Sequence, residues 1–189
     1  MRSDLELIRL QDQIISSKPE LLDRQIREFC CAKDPDVEAF LKEKAVLFER
    51  SGISRTYLFV VNDNERSNIV AYFSIAITAT NFEGVSKSRK THVLGATPYR
   101  DFLDHFGGLL VAQLARDDSY TPNDINGIEL INAAEKTVEQ GRFYLGGRVL
   151  YLDCRHPLIA LYEKSDFKLL RNEPDSLGLY KMFKMLPKL

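Results

Sequence analysis

The sequence predicts an α/β domain in which helices flank a sheet of mixed parallel and antiparallel strands. A strand–helix–strand order between residues 109 and 153 implies two parallel strands joined by a right-handed crossover. Two apolar runs rich in β-branched residues, 56–61 and 69–80, predict an antiparallel hairpin. The chain has 189 residues, of which 44% are hydrophobic. That length suits one full core, so we expect a single domain over residues 1–189.

The first third of the chain predicts one strand and two helices. Residues 5–10 read as the first strand, and residues 19–29 have apolar positions at helical spacing. A second helix begins at Asp34 and Pro35, which suit an N-cap and the first helical position. It ends at Gly52, the residue type that most often closes a helix.

The middle of the chain predicts the hairpin and then an insertion. Residues 62–68 are polar and predict a turn longer than the tight two-residue kind. Residues 81–106 read as an insertion between strands, with a helical segment at 99–106, and we expect it to shape the binding site for a substrate. A cationic cluster within it is interpreted as a solvated loop, with contact to a ligand phosphate or to a substrate as the alternative: Lys87, Arg89 and Lys90.

The last part of the chain predicts the parallel pair and its crossover. A strand at 109–116 precedes a helix at 123–140, which Gly141 is expected to stop. Gly146 and Gly147 precede a strand at 148–153. The remaining predicted elements are a helix at 157–164 and closing strands at 167–170 and 179–183.

Composition narrows the classes of protein. The 26 basic and 27 acidic residues give a net charge of −1, which argues against nucleic acid as the main partner. No apolar run reaches the roughly 18–20 residues that span a bilayer, and the amino terminus lacks a signal-peptide core. We therefore expect no membrane association and a cytoplasmic location. The three cysteines fit reduced thiols, and no Cys/His spacing predicts a metal site.

The stretch from Gly147 to Phe167 carries the strongest functional signal. A β-rich run leads into a helix that opens with Pro157 and carries Tyr162, and an aromatic-ended turn follows. This order resembles the carboxy-terminal half of the GNAT superfamily of N-acetyltransferases. The resemblance implies a GNAT-like acyl-CoA N-acyltransferase fold and acetyl-CoA as cosubstrate. It also implies that Tyr162 is the general acid toward the thiolate of coenzyme A.

The first half resembles the GNAT branch that includes the acetyltransferase toxins of bacterial toxin–antitoxin pairs. The similarity covers about residues 29–80 and 109–170 through the shared spacing of several short motifs. These are Phe40-Leu41, Ala45, the segment 51–57 (SGISRTY), the strand 72–76 (YFSIA) and the strand end Leu114-Ala115-Arg116.

The pyrophosphate loop departs from the family pattern. That loop reads [QR]-x-x-G-x-[GA], and its glycines let backbone N–H groups approach phosphate at a helix N-terminus. The equivalent here is Pro122, Asn123, Asp124, Ile125, Asn126 and Gly127, in which one glycine survives. Proline lacks an N–H, and Asp124 places a negative charge where a diphosphate should lie or else caps the helix.

The resemblance implies three chemical requirements. Backbone N–H groups of Leu114, Ala115 and Arg116 would hold the acetyl carbonyl oxygen, and Tyr162 would protonate the leaving thiolate. A lysine-like amine needs a base, because its deprotonation at pH 7 costs roughly 4–5 kcal/mol. Asp117 and Glu129 lie near the site in sequence, and the residues do not select between them.

Several residues also have structural interpretations. Tyr162 could pack on the sheet, and Gly127 could serve close helix–strand approach. Arg116 could be a strand-end surface residue. The pair Arg55-Thr56 is interpreted as joining a helix end to a strand. His156 is interpreted as a helix-start residue, and Cys154 as a buried small hydrophobe.

Three hypotheses follow. The first is an acetyl-CoA-dependent N-acetyltransferase that transfers the acetyl group directly to a primary amine of a small molecule, peptide or protein in a ternary complex. The second keeps this chemistry with an aminoacyl-tRNA acceptor, as in the toxin branch. The third is a non-catalytic GNAT-like binding module, suggested by the altered loop. A homodimer is expected from the superfamily.

Overall fold

A computed structural model describes residues 4–15, 19–63 and 66–188. Within these residues, seven strands form one mixed sheet flanked by helices, which confirms the predicted fold class. The strands are β1 Leu5–Arg9, β2 Ser54–Asp63, β3 Arg66–Asn81, β4 His105–Arg116, β5 Val149–Cys154, β6 Lys168–Leu169 and β7 Tyr180–Met185. The helices are α1 Leu10–Ile15, α2 Pro19–Glu28, α3 Pro35–Ala39, α4 Ala45–Arg50, α5 Lys87–Leu94, α6 Gly127–Leu145 and α7 Ile159–Glu163.

The strand order is β1-β2-β3-β4-β5-β7-β6. The pair β4–β5 is parallel, with a register from Leu109–Leu150 to Val111–Leu152, and β4 continues to Arg116. The pairs β1–β2, β2–β3, β5–β7 and β6–β7 are antiparallel. The predicted parallel pair is therefore confirmed. Among the described residues, no helix is long and apolar enough to cross a bilayer.

The chain divides into two compact units. The first unit contains Met1–Ala76 and Ala112–Glu135, and the second contains Ile77–Val111 and Lys136–Leu189. The single domain expected over residues 1–189 stays a prediction.

In the first unit, α2 buries the predicted apolar face. Leu22, Ile26 and Phe29 join a core cluster with residues of α3, α4 and the strands β2 and β3. The ring of Phe29 meets the ring of Tyr72 edge-on at 5.5 Å, and the Tyr72 hydroxyl donates to the Val37 carbonyl at 2.5 Å.

The predicted helix from Pro35 to Gly52 is present, with a π-helical turn at Phe40–Lys44 between α3 and α4. Gly52 ends it with φ +70°. Asp34 is the N-cap residue, as predicted, although its side chain makes no capping hydrogen bond. The Asp34 carbonyl instead accepts from Val37 N–H at 3.2 Å.

The interpretation of Arg55-Thr56 as a structural junction is confirmed. The buried Glu49 carboxylate accepts from Thr56 N–H at 2.8 Å and from Arg55 Nη1 at 3.0 Å. Arg55 Nη1 also donates to the Glu49 carbonyl at 2.8 Å. These bonds fix the end of α4 to the start of β2.

The predicted long turn at 62–68 is wrong. β2 runs to Asp63 and β3 begins at Arg66, with Asn62 opposite Ser67 and Asp63 opposite Arg66. Residues 64–65 connect them and lie outside the described residues. The polar side chains continue the two strands at an end of the hairpin where Asn62 is exposed, so polarity here marks exposure and not a turn.

The second unit contains the insertion. α5 begins after Ser86, whose hydroxyl accepts from Arg89 N–H, and it buries Val93 and Leu94 in a core with residues of β5 and β7. The cationic cluster read as a solvated loop therefore lies on a helix. The predicted helical segment at 99–106 is wrong, because only Arg100–Phe102 forms a 3-10 turn before β4.

The bounds predicted for the crossover helix are wrong at both ends. α6 begins at Gly127 and continues past Gly141 to Leu145. A Cβ at Gly141 would meet nothing within 4 Å, so this glycine is an exposed helical position that costs some stability without breaking the helix. The positive φ angles of Gly146 and Gly147, +73° and +108°, end α6 instead.

Glu38 gives the first unit a pH-dependent contact. Its carboxylate accepts from Lys42 Nζ at 2.6 Å and from Cys31 N–H at 2.7 Å, and these bonds hold the pKa of Glu38 below its ordinary value. A depressed pKa in the folded state contributes stability at neutral pH that is lost as the pH falls.

We expect Glu38→Gln to lower the free energy of unfolding by about 1 kcal/mol at pH 7. The difference from the wild type should shrink as the pH falls through the lowered pKa of Glu38 and vanish below it, because the carboxyl is then protonated in both states. Urea unfolding at pH 7 and at a pH below the titration of Glu38 measures this, with exposed Glu43→Gln as the control. An equal loss at both pH values would contradict the account.

Candidate active site

Arg116, the last residue of β4, braces the connection to α6. Its Nε donates to the Tyr120 carbonyl at 3.1 Å, and its Nη1 donates to the Ile125 carbonyl at 2.8 Å. The structure thus brings the strand end 114–116 and the loop 122–127 together. The guanidinium is half-buried and bonded to loop carbonyls, so the interpretation as a surface residue does not describe it, and its contact with a phosphate stays a prediction.

The backbone of the connection is hydrogen-bonded at every N–H from residue 117 to residue 126, apart from Pro122. Asp117 N–H donates to Val70 O, Asp118 N–H to Cys30 O and Tyr120 N–H to Asp117 O, at 2.9–3.1 Å. The carboxylates complete this pattern with further bonds: Ser119 N–H to Asp117 Oδ1, Thr121 N–H to Asp124 Oδ2 and Asn126 N–H to Glu129 Oε2, all 2.8 Å.

The remaining N–H groups are bonded around Thr121. Asp124 N–H donates to the Thr121 carbonyl at 3.0 Å, and Ile125 N–H donates to the same carbonyl at 3.4 Å. Asn123 N–H approaches Thr121 Oγ1 at 3.3 Å, and this hydroxyl donates to Asp124 Oδ2 at 2.9 Å. The loop is therefore closed on itself by its own side chains.

Asn126 is the N-cap of α6. Its Oδ1 accepts from Glu129 N–H at 3.0 Å while the Glu129 carboxylate accepts from Asn126 N–H. This reciprocal pair is a capping box. The alternative of Asp124 as N-cap is wrong, because its carboxylate turns back to Thr121. The N–H groups of Gly127 and Ile128 then belong to the first turn, where no intrahelical acceptor exists.

Neither base candidate has an unengaged carboxylate. Asp117 is buried, and it accepts from Cys30 N–H at 2.7 Å and from Ser119 N–H at 2.8 Å. Glu129 caps α6. Both side chains hold backbone in place, which the sequence could not show because Cys30 is far from Asp117 along the chain.

Tyr162 lies in the second unit, at the end of α7. Phe167 N–H donates to the Tyr162 carbonyl at 3.2 Å, and Asp166 N–H donates to the Glu163 carbonyl at 3.1 Å. With Asp166 at φ +64°, these bonds form a Schellman motif. Its apolar contact joins the rings of Tyr162 and Phe167, with centroids 6.1 Å apart. The motif thus fixes a tyrosine that is 7% exposed.

We expect Asp166→Gly to stabilise the protein by about 0.5–1 kcal/mol, because glycine adopts positive φ without strain. For a chain of this size the melting temperature should rise by roughly 1–4 °C. Lys164→Gly is the matched control. Lys164 lies two residues earlier, with a helical φ of −64°, and its replacement by glycine should be destabilising. Similar shifts for both variants would contradict the assignment of strain to residue 166.

The two other candidates near α7 have structural roles. Burial, with a smaller effect of Asp153, raises the pKa of the Cys154 thiol to about 11, so this thiol is protonated at neutral pH and is a poor nucleophile. His156 begins the 3-10 turn His156–Leu158 that leads into α7, and its ring lies 5.6 Å from that of Tyr180. Both structural interpretations are confirmed.

A cavity of about 400 Å³ lies within the second unit. One of its faces belongs to α5, which the sequence did not predict. Another lining residue, Glu163, directly follows Tyr162 in the chain. The lining residues are Ser88, Arg89, His92, Glu163, Lys168, Leu169 and Phe183. Arg89 is held by Asn172 Oδ1 at 2.8 Å. Charged groups of both signs therefore surround an apolar floor.

The fold is shared with solved structures of bacterial toxins. A tyrosine-to-phenylalanine mutant of KacT matches with a TM-score of 0.71 and 18% identity, covering 97% of this chain and 95% of that chain. This chain has the GNAT fold. The resemblance found in the sequence is thereby confirmed at the level of the fold.

Two further GNAT-fold neighbours were solved with ligands. AtaT complexed with acetyl-methionyl-tRNAfMet matches with a TM-score of 0.69 and 19% identity, covering 97% of this chain and 95% of that chain. AtaTR bound with AcCoA gives a TM-score of 0.66 and 16% identity, over 97% and 94%. No family model matches the chain, and no curated protein matches its sequence.

Proposed function

We propose that this protein is an acetyl-CoA-dependent N-acetyltransferase acting on a primary amine. The observation that carries the proposal is the match over 97% of the chain to AtaTR bound with AcCoA. Tyr162, fixed at the end of α7 where the sequence resemblance places the general acid, adds support. A cytoplasmic location and a homodimer belong to the same proposal.

The transfer takes place in a ternary complex. The neutral amine nitrogen attacks the thioester carbonyl, a C–N bond forms, the C–S bond breaks, and the amine proton passes to a base or to water. Tyr162 donates its hydroxyl proton to the leaving thiolate and regains a proton from solvent. The backbone N–H groups of Leu114, Ala115 and Arg116 stabilise the oxyanion.

The base is assigned to neither Asp117 nor Glu129. Each carboxylate accepts hydrogen bonds from backbone N–H groups, and proton uptake would break those contacts. A water molecule that relays the amine proton to solvent would serve as the base, and no further side chain is then needed.

The cavity of the second unit is our candidate for the amine-acceptor site. α5, which lies in the predicted insertion, supplies three of its lining residues, and Glu163 adjoins Tyr162 in the chain. The carboxylate of Glu163 and the apolar floor suit an acceptor with a cationic and an apolar part.

Transfer of a labelled acetyl group from acetyl-CoA to a mixed pool of primary amines tests the proposal. We expect label in acid-stable amides with wild-type protein. Label that remains on coenzyme A at millimolar donor and amine would contradict it. Label bound covalently to the protein would contradict the direct-transfer mechanism.

An aminoacyl-tRNA acceptor is the second candidate function. AtaT complexed with acetyl-methionyl-tRNAfMet favours it, whereas the net charge of −1 opposes a large phosphate-binding surface. If it is correct, wild-type protein should arrest growth on expression and Tyr162→Phe should not. Normal growth on expression of the wild-type protein as well as of Tyr162→Phe would contradict an aminoacyl-tRNA acceptor.

A non-catalytic binding module is the third candidate. The hydrogen-bonded loop from residue 117 to residue 126 favours it, because those N–H groups already have acceptors. The labelled-acetyl assay decides, since any amide product that disappears in Tyr162→Phe excludes this candidate.

A further inference from the structure

We infer that this protein holds its acyl donor through the acetyl-pantetheine half and gains little affinity from the diphosphate and nucleotide. The inference rests on the proposed acetyl transfer and adds the donor class: acetyl thioesters of pantetheine, with or without the nucleotide. As in the proposed transfer, the C–N bond forms and the thioester C–S bond breaks. Its basis is the connection between β4 and α6, where a diphosphate-binding loop is expected.

Hydrogen-bond donors are the first limit on diphosphate binding. A phosphate cradle needs several N–H groups that point at one anion. Between residues 117 and 126, every N–H except the missing one of Pro122 already has an acceptor within the protein. Glu129 N–H is taken by Asn126 Oδ1. Within this described stretch, Gly127 and Ile128 are left to donate to a ligand.

Charge is the second limit. The thirteen-residue stretch 117–129 (DDSYTPNDINGIE) contains four carboxylates and no lysine or arginine. Asp124 lies inside the loop, and Glu129 lies in the first turn of α6. The helix dipole favours an anion at this end, but Glu129 already occupies that position. Three of these carboxylates, those of Asp118, Asp124 and Glu129, are at least partly exposed and would oppose a diphosphate.

Rigidity is the third limit. The Arg116 guanidinium bonds two loop carbonyls, so two of its N–H donors hold the loop in place. Asp117 Oδ2 and Asp118 Oδ2 accept from Cys30 N–H and Ala32 N–H, both at 2.7 Å. A rearrangement that turned loop N–H groups outward would have to break several of these bonds together.

The pantetheine arm is not subject to these limits. It carries two amide groups, which pair with the backbone N–H and C=O groups of an extended strand. The register of β4 with β5 runs from Leu109 to Val111, whereas β4 continues to Arg116, so the end of β4 is where such pairing would take place. The donor part that enters the reaction is thus recognised apart from the loop that departs from the family pattern.

Titration calorimetry with three probes tests the inference without an acceptor. The probes are acetyl-CoA, acetyl-pantetheine and adenosine 3′,5′-bisphosphate. We expect dissociation constants for the two thioesters within tenfold of each other and no binding of the bisphosphate at millimolar concentration. Acetyl-CoA binding more than tenfold tighter than acetyl-pantetheine would overturn the inference and leave the proposed function standing. Binding of neither thioester would overturn the proposed function itself.

Variants that free backbone N–H groups of the loop test the inference through a gain in affinity for acetyl-CoA. Asp124→Gly combined with Asn126→Gly frees Thr121 N–H and Glu129 N–H and removes one negative charge. We expect acetyl-CoA to bind at least tenfold tighter to this variant, with acetyl-pantetheine unchanged. Asp124→Asn keeps a side-chain acceptor and removes the charge. It should also raise the affinity for acetyl-CoA, and it should preserve folding.

The matched control is Asp175→Gly. Asp175 also accepts two backbone N–H groups, from Leu177 and Leu179, but in an exposed turn of the second unit. This variant should leave the ratio of the two affinities unchanged. A folded Asp124→Gly/Asn126→Gly variant whose acetyl-CoA affinity does not rise would overturn the inference.

Discussion

Replacing Tyr162 with phenylalanine should lower the rate of acetyl transfer by about 10²- to 10⁴-fold, the usual contribution of a general acid. The ring should keep its place, because the edge contact with Phe167 and the backbone bonds of the Schellman motif do not use the hydroxyl. The melting temperature and the affinity for acetyl-CoA should therefore change little. Initial rates of coenzyme A release, with the acceptor found by labelled transfer, measure the effect.

Tyr144→Phe provides the control for this prediction. Tyr144 is 84% exposed at the end of α6, and its variant should keep the wild-type rate. If Tyr162→Phe also keeps the wild-type rate, Tyr162 is a packing residue and another group protonates the thiolate. If its rate falls together with a large drop in melting temperature, the loss reports structure and not catalysis.

Replacing Gly108 with alanine should destabilise the protein by about 3 kcal/mol. A Cβ there would lie 2.5 Å from Cε2 of the Tyr151 ring and 2.8 Å from the Val149 carbonyl oxygen. Tyr151 is fully buried and Val149 O belongs to the backbone of β5, so neither can move aside easily. The melting temperature should fall by roughly 6–12 °C.

Gly107→Ala is the matched control, one residue earlier on the same strand. Its Cβ would lie 3.9 Å from the Thr78 carbonyl oxygen, an ordinary contact. This variant should be neutral or slightly stabilising, because alanine restricts the unfolded chain more than glycine does. Equal melting temperatures for the two variants would contradict the close approach of Tyr151 to β4.

The strands and their burial were predictable because short runs of apolar and β-branched residues are typical of buried strands. The runs at 56–61 and 69–80 became β2 and β3, and the predicted parallel pair became β4 and β5. The bounds were less predictable. Polar residues at the hairpin end extended the strands, and an exposed glycine at 141 did not stop α6.

α5 was not predicted because its amphipathic signal is weak. Only Val93 and Leu94 among its residues are buried, so the segment Lys87–Leu94 reads as a charged loop until its tertiary contacts are known. The same reason explains why the cavity lined by Arg89 and His92 was missed.

The departure of the loop from the GNAT pattern was predictable from Pro122 and Asp124, but its physical state was not. Its hydrogen bonds depend on pairs such as Asp117 with Cys30 and Asp118 with Ala32, which lie far apart in the sequence. The contacts of the Arg116 guanidinium with loop carbonyls were not predictable either, and its role toward the cofactor stays a prediction. The assignment of Tyr162 and residues 114–116 to catalysis stays a prediction.

Thermal unfolding with and without acetyl-CoA tests the central proposal most directly, because it needs no acceptor. At a concentration a hundredfold above Kd, binding should add about 2.7 kcal/mol to the free energy of unfolding. The melting temperature should then rise by roughly 5–11 °C. No rise at millimolar acetyl-CoA would contradict the proposal that this GNAT fold is an acetyltransferase.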